Sequence, residues 1–293
     1  PGTLVMSPKT ISFATVAVLA LTAGAPAQAQ IWPFGRDRDS AQTTRETATS
    51  ATPTASSGDR RAASADERAR AARLDPLSRA VFWAAEVAIS PQDVECYLNL
   101  SQAQRELRRY SEAADSAQQA LLIAPNDRRA LMQLARAKIS EGQAFYAIAP
   151  LEHARSLDPR DWQAPSLLGV ALDQVSRRDE AQQAWREALA LSPDNPSILT
   201  NMALSLAGEG QTVEAETLLR RAVTLPGSTT QMRLNLALMV GLQGRTAEAE
   251  QILRRELPPE LVEQNLSWLR QTTSTTAGRT QTGGRTWDAL RGS

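Results

Sequence analysis

Proline, alanine and apolar residues recur along this chain with a period of 34 residues, and this period constrains the fold more than any other feature. The three series are Pro91, Pro125, Pro159 and Pro193; Ala113, Ala147, Ala181, Ala215 and Ala249; and Leu100, Leu134, Leu168, Met202 and Leu236. Such a period is typical of a helical solenoid in which each unit is a pair of antiparallel helices. One pair cannot bury its apolar stripe alone, so the units must stack. We therefore expect a protein that offers a surface rather than a catalytic pocket.

Within one repeat, the apolar residues are spaced to fall on one face of each helix. In the repeat that ends at Pro193, Leu168 and Leu172 share a face of the first helix, and Trp185 and Ala188 share a face of the second. Alanines at the helix crossings allow close approach, since a larger side chain would overpack the crossing at a cost of about 1–3 kcal/mol. A glycine suited to a left-handed turn separates the two helices in three repeats, at Gly142, Gly210 and Gly244.

The pattern resembles the tetratricopeptide repeat (TPR), which implies an all-α, right-handed superhelical solenoid. The resemblance covers five consecutive units, over 94–127, 128–161, 162–195, 196–229 and 230–263. A helix before the array, over 76–90, and a helix after it, over 258–270, are predicted to cap its ends. The solenoid is thus expected to occupy residues 74–270.

The N-terminal end has the pattern of a secretion signal. A positively charged start precedes an apolar run, 11–22, that is shorter than the roughly 20 residues needed to span a bilayer. Ala27 and Ala29 then fit a small-x-small cleavage signal. We expect a signal peptide over 1–29, with residues 1–5 as an upstream extension, and a mature protein in the periplasm. A buried or anchoring N-terminal helix is the alternative.

Two polar segments are predicted to be disordered, because they cannot bury enough apolar surface to offset the entropy of ordering. They are a linker over 30–73 and a tail over 271–293. Each carries aromatic residues, namely Trp32 and Phe34 in the linker and Trp287 in the tail. These aromatic ends are either docking motifs or segments that fold back on the solenoid.

Composition and motifs favour a protein that is not an enzyme. The formal net charge is zero, so composition indicates neither a nucleic-acid binder nor an acidic surface. The single cysteine, Cys96, excludes an internal disulfide and a CxxC site, and we expect it to be a small, half-buried side chain. His153 is the sole histidine and lies next to a core alanine, without metal-ligand spacing around it. We expect no catalytic residues, no metal and no cofactor.

A TPR array holds a peptide or helix in a groove lined by the first helix of each repeat. Transfer of the family's groove positions gives these candidate partner-binding residues: Asn99, Gln102, Arg136, Ile139, Asp173, Asn201, Leu204, Asn235 and Leu238. The same positions also include Leu98, Arg105, Met132, Gln133, Ser166, Val170 and Thr200.

Two features of this groove bear on its ligand. An asparagine recurs at one position of three repeats, where its amide either pairs with the backbone of an extended ligand or merely suits the helix: Asn99, Asn201 and Asn235. TPR proteins that grip a C-terminal carboxylate carry basic residues at positions held here by Glu95, Gln163 and Leu167, so the chain departs from that clamp. The more apolar C-terminal half of the groove favours an apolar helix or strand as ligand.

Several stretches also resemble the TadD-type TPR proteins of Flp (tight adherence, type IVb) pilus systems. The resemblance is carried by residues 75–80, 196–205, 233–238, 241–245, 256–260, Asn265, 268–270 and 286–288. It implies a pilotin-like accessory factor that helps an outer-membrane secretin assemble or localise. Such proteins usually carry a lipidated cysteine after the signal peptide; none precedes Cys96 here, so we expect a periplasmic form whose outer-membrane association depends on a partner. The alternative is a general envelope scaffold or chaperone-like TPR protein.

Overall fold

A computed structural model describes residues 61–273, and every regular element in this part of the chain is a helix. The described residues fall into two compact units, 61–193 and 194–273, called here the N-terminal and C-terminal units. Several predictions lie outside the described residues: the signal peptide with Ala27 and Ala29, most of the linker and tail, and the aromatic residues Trp32, Phe34 and Trp287.

The N-terminal unit is a series of antiparallel helices joined by short turns. In chain order they are α1 (Ala65–Ala71), α2 (Pro76–Ile89), α3 (Val94–Glu106), α4 (Tyr110–Ile123), α5 (Arg128–Ser140), α6 (Phe145–Leu157), α7 (Gln163–Gln174) and α8 (Arg178–Leu191). Each helix from α2 onward packs against the next. The first helices α3, α5 and α7 also contact one another in sequence, so they form one face of the unit.

The C-terminal unit is also built of helix pairs joined by short turns. Its described helices are α9 (Pro196–Gly208), α10 (Thr212–Thr224), α11 (Thr230–Leu242), α12 (Thr246–Glu256) and a last helix, α13, over 259–273. Val262, Leu266 and Leu269 of α13 are buried in the core of this unit. The helix runs past residue 270 into the stretch predicted to be a disordered tail, so that prediction is wrong for 271–273.

The periodic alanines lie where helices cross. Each is fully buried: Ala113, Ala120, Ala147, Ala154, Ala181, Ala188, Ala215, Ala222 and Ala249. One crossing is tighter still, because Gly169 of α7 lies against the indole of Trp185 of α8, whose Nε1 donates to the carbonyl of Ser166 at 3.1 Å. The repeat period in the sequence thus corresponds to a repeated set of close helix contacts.

The turn between the two helices of a repeat has one conformation throughout. Gly142, Gly210 and Gly244 have φ values of 80°, 81° and 83°, as their left-handed turn position predicts. The same position in the other two repeats is taken by Arg108 (φ 62°) and Ser176 (φ 64°). Residue type alone does not mark these two positions, because neither is a glycine, yet the repeat geometry imposes the same turn on them.

Helix α1 corrects the prediction that residues 30–73 are disordered, which is wrong for 65–71. Ser64 and Glu67 form a reciprocal capping box at its start. Arg68 then ties the helix to the array: it donates to Asp93 at 2.7 Å and to Glu86 at 3.3 Å. Its guanidinium also lies 5.8 Å from the ring centroid of Trp83. These long-range contacts, rather than apolar periodicity, hold the helix in place.

Candidate functional site

A cleft of about 270 Å³ lies on the face formed by the first helices of the N-terminal unit. Helix α3 contributes Glu95, Leu98, Asn99 and Gln102, helix α5 contributes Arg128, Arg129, Met132, Gln133 and Arg136, and helix α7 contributes Gln163. Spacings of three and four residues place the members of each helix on one side, because a helix turns once in 3.6 residues.

The cleft has an apolar floor and a polar wall. Leu98 and Met132 are buried, with 7% and 2% of their surface exposed, so they form its base. Amide side chains stand around them. The Nδ2 of Asn99 donates to the carbonyl of Glu95 in its own helix at 2.9 Å. That bond uses one of the two amide hydrogens. The other hydrogen and the oxygen are the atoms that can make the predicted pairing with a ligand backbone.

Most charges around the cleft are already paired within the protein. Arg128 forms an ion pair with Asp161, and Arg129 forms one with Asp127 at 3.1 Å. Glu95 lies 3.7 Å from Arg68. The cations of the cleft are therefore partly neutralised by carboxylates at the helix ends.

Arg136 and Arg105 differ, since neither has a carboxylate within 4 Å among the described residues. Arg136 donates to Gln163 Oε1 at 3.2 Å, across the cleft from α5 to α7. Burial lowers the pKa of Arg136 to about 10, and repulsion from Arg105 adds to this shift. Burial also lowers the pKa of Arg105. The protein holds these two cations close together at an electrostatic cost.

The structure brings together part of the predicted groove. Asn99, Gln102 and Arg136 line the cleft. Ile139 is buried on α5 and is not among the residues that line the cleft. Asp173 is half-buried on α7 and lies outside the lining. The register transferred from the family places three of the predicted residues at this cleft but does not say which side chains the packing covers.

The remaining predicted groove residues belong to the C-terminal unit. Asn201 and Leu204 on α9 and Asn235 on α11 are half-buried, whereas Leu238 is in the core with 7% exposure. Asn235 Oδ1 accepts a hydrogen bond from Gln231 at 3.1 Å, so one acceptor site of its amide oxygen is already used.

Arg128, Arg129 and Gln163 line the cleft but were not among the predicted partner-binding residues. The two arginines open α5, directly after the N-cap Asp127, and Gln163 opens α7. Groove positions taken from helix interiors omit such first-turn residues. The N-cap residue marks where a groove helix begins, and the first turn of each groove helix borders the same cleft. The position of the N-cap is therefore the sequence signal that could have located these residues.

Cys96 is completely buried on α3, which corrects the prediction of a half-buried side chain. Burial raises the pKa of the thiol to about 12, and the neighbouring carboxylate of Asp93 adds to the shift. A thiolate nucleophile is thus disfavoured here. Among the described residues, no group of three or more potential ligands could hold a metal ion. None of the helices in the described part is long and apolar enough to cross a bilayer.

Comparison with known sequences identifies the repeat and one distant relative. Residues 94–127, which contain α3 and α4, match the tetratricopeptide repeat. An uncharacterized protein, y4yS, of Sinorhizobium fredii (strain NBRC 101917 / NGR234) is 31% identical over 117 residues, which are 39% of this chain and 64% of that relative. The chain thus spans less than two thirds of the relative's length.

Solved structures give the fold. A tetratricopeptide repeat protein from Parabacteroides merdae ATCC 43184 superposes with a TM-score of 0.59 at 11% identity, covering 70% of this chain and 81% of that chain. A thermophilic TPR protein from Thermus thermophilus gives 0.51 at 20% identity, covering 56% and 90%. The all-α TPR fold predicted from the repeat is confirmed. The resemblance to Flp pilus proteins stays a prediction.

Proposed function

We propose that this chain is a periplasmic TPR adaptor that binds a segment of a partner protein in the cleft of α3, α5 and α7. TPR proteins mediate protein–protein interactions, and stacked repeats offer extended binding surfaces. The observation that carries the proposal is the cleft itself. It combines an apolar floor, Leu98 and Met132, with amide and guanidinium groups that can bond to a peptide backbone.

The size of the cleft indicates what it holds. A volume of about 270 Å³ is near the lower end of the range for small-ligand sites, roughly 300–1,000 Å³. Space of this size takes a few side chains of a bound segment rather than a folded domain. Specificity would come from the polar groups that surround the floor, such as Gln102, Gln133 and Arg136.

We further propose that the adaptor is a pilotin-like accessory factor in assembly of an Flp pilus or a related secretion system. The support is the sequence resemblance, whose C-terminal motifs have structural roles. Glu256 pairs with Arg233 at 2.5 Å, and the buried Asn265 donates to the carbonyl of Leu261 at 2.6 Å. These motifs stabilise the last repeat and its capping helix. They support kinship with that family and do not form the binding site.

Gene deletion tests this role. We expect loss of the protein to reduce secretin multimers in fractionated outer membranes and to reduce surface pili. Restoration by the wild-type gene, but not by a cleft variant such as Met132→Glu, would link the role to the cleft. Normal multimers and normal pili in the deletion strain would reject the pilus role, and an envelope defect in that strain would favour the general scaffold.

The proposed periplasmic location is tested separately, through the cleavage of the signal peptide. If the signal peptide is cleaved as proposed, N-terminal sequencing of the mature protein should give Gln30 or Gln28 as the first residue, and the protein should appear in the periplasmic fraction. An uncleaved protein retained in the cytoplasm would contradict both the location and the pilus role, without bearing on whether the cleft binds peptides.

A further inference from the structure

Two arginines, one that lines the cleft and one just beyond its lining residues on α3, have no carboxylate within ion-pair distance among the described residues. Arg105 lies one helical turn after Gln102 on α3, and Arg136 lines the cleft from α5. They are close enough for their charges to repel each other. Their neighbours Arg128 and Arg129 each have an aspartate partner within the protein. Arg136 is attracted by Asp161, but that carboxylate forms its ion pair with Arg128. The contrast singles out one pair of cations that have no carboxylate within ion-pair distance among residues 61–273.

The surroundings of this pair are partly shielded from water. The Nε of Arg105 is buried and has no hydrogen-bond acceptor in the described part of the chain. Arg136 has one polar contact there, its hydrogen bond to the neutral amide of Gln163. A buried charge without a partner costs free energy that an opposite charge would recover. A carboxylate has two oxygens, so it can accept charge-assisted hydrogen bonds from two guanidinium groups that are close enough to repel each other.

A third unpaired group points to a peptide as the carrier of that carboxylate. The Oε1 of Gln133, which also lines the cleft, is buried and has no donor among residues 61–273. Buried acceptors are normally satisfied, and this one at the cleft wall is placed to accept a hydrogen bond from an N–H of a bound ligand. A peptide backbone supplies such donors at regular intervals. Anionic lipids without an N–H beside the acidic group, and free inorganic anions, do not.

We propose that the cleft takes an extended, acidic segment of a partner protein, in which an Asp or Glu side chain pairs with Arg105 and Arg136 while a backbone N–H donates to Gln133. This proposal rests on the proposed function, since it names the chemistry of the partner of the same cleft. The apolar floor then contacts the residues that flank the acidic one.

This site differs from a clamp for a chain terminus. It draws on Arg105 and Arg136 in successive repeats, whereas the positions of the terminal-carboxylate clamp hold Glu95, Gln163 and Leu167. Glu95 lines the same cleft and would repel an acidic chain end placed beside it. An internal acidic side chain, directed at the arginine pair and away from Glu95, avoids this repulsion.

An unbiased peptide selection tests the proposal. A random peptide library is displayed and selected on the full chain, on Arg105→Gln/Arg136→Gln, and on the control Arg160→Gln/Arg186→Gln. The control removes the same charge from the same unit, at exposed arginines without an ion pair among the described residues. We expect enrichment of Asp and Glu on the wild type and on the control, and its loss on the cleft variant.

Fluorescence anisotropy of a selected peptide measures how much affinity each variant loses. Affinity should fall at least about tenfold for the cleft variant, because charge-assisted hydrogen bonds are the strong ones, and should stay within about twofold of wild type for the control. Circular dichroism of each variant verifies folding. Equal affinity of the cleft variant and the control would overturn the proposal.

The outcomes also separate this proposal from the proposed function. Selection of neutral or apolar peptides that Met132→Glu abolishes would reject the acidic segment and leave peptide binding in the cleft intact. Selection of no peptide above background on the wild type would reject both. Acidic peptides that bind the cleft variant as well as the wild type would reject the role of the arginine pair and place the acidic interaction elsewhere.

Discussion

At the scale of single residues, the repeat imposes a backbone conformation regardless of which residue carries it. Five equivalent turn residues have positive φ, and they are Arg108, Gly142, Ser176, Gly210 and Gly244. A left-handed conformation costs a residue with a Cβ roughly 1–2 kcal/mol. The N-terminal unit therefore stores strain at two of its turns, which its helix packing must offset.

Replacing Ser176 by glycine should relieve this strain. The gain of about 1–2 kcal/mol is offset by the extra chain entropy of glycine, about 0.5–1 kcal/mol, so we expect a net stabilisation of about 0.5–1 kcal/mol. Urea unfolding, monitored by circular dichroism, measures this change in the free energy of unfolding. The reverse change, Gly142→Ser, is the matched control and should destabilise by a similar amount. A loss of stability in Ser176→Gly would show that the turn is not strained.

Gly169 is required for a different reason, the space that it leaves for Trp185. A Cβ built on Gly169 would overlap the indole at Nε1, and the rigid ring cannot move aside cheaply. We expect Gly169→Ala to destabilise the protein by about 1–3 kcal/mol through overpacking. A Cβ on Gly208, at the end of α9, meets no atom within 4 Å, so Gly208→Ala should stabilise the protein by about 0.5–1 kcal/mol through the lower chain entropy of alanine. Similar urea midpoints for the two variants would refute the packing argument.

At the scale of helices, ion pairs join successive repeats in the C-terminal unit. Glu216 of α10 accepts hydrogen bonds from Arg220 at 2.7 Å and Gln243 at 2.8 Å, and it also pairs with Arg245. Burial alone would raise the pKa of Glu216, but these bonds outweigh it and hold the pKa below its ordinary value of 4.5. The carboxylate is therefore more favourable in the folded than in the unfolded protein.

The lowered pKa of Glu216 predicts that the protein loses stability in acid. Because the folded pKa is depressed, the contribution of Glu216 is fully present above pH 4.5 and disappears as the pH falls through the folded pKa. Glu216→Gln should be less stable than wild type at pH 7, and the difference should shrink toward pH 3. Thermal unfolding across this range tests it, with the exposed Glu214→Gln as control. A difference that does not change with pH would contradict the assignment.

Arg136, which lines the cleft from α5, has the opposite effect on stability. Burial and mutual repulsion lower the pKa of Arg136 to about 10, so its charge disfavours the folded state at pH 7. Arg136→Gln should raise the melting temperature at pH 7, although it weakens peptide binding. Such a trade-off is expected where a site keeps unpaired charge for a ligand. A lower melting temperature would indicate that Arg136 has a structural role.

At the scale of the whole molecule, the sequence predicts the fold far better than the site. The period of the alanines and prolines locates the helix pairs, since each pair repeats one packing problem with one solution. It fails for α1, whose position depends on the contacts of Arg68 with Glu86 and Asp93, and these residues are distant in sequence. It also fails for Ile139 and Leu238, because burial is decided by neighbouring repeats.

Binding of a partner segment in the cleft of α3, α5 and α7 underlies both proposals. Site-specific photocrosslinking in the native cell tests it most directly. The photoreactive amino acid benzoylphenylalanine is placed at Gln102, which lines the cleft, and at Gln118, an exposed glutamine on α4 of the same repeat. Mass spectrometry then identifies the partner and the crosslinked segment.

We expect a crosslink at Gln102 to one defined segment of one partner. It should be absent at Gln118 and suppressed by an excess of a selected cleft-binding peptide. A crosslink of equal yield at both positions, or one at Gln118 alone, would contradict binding in the cleft.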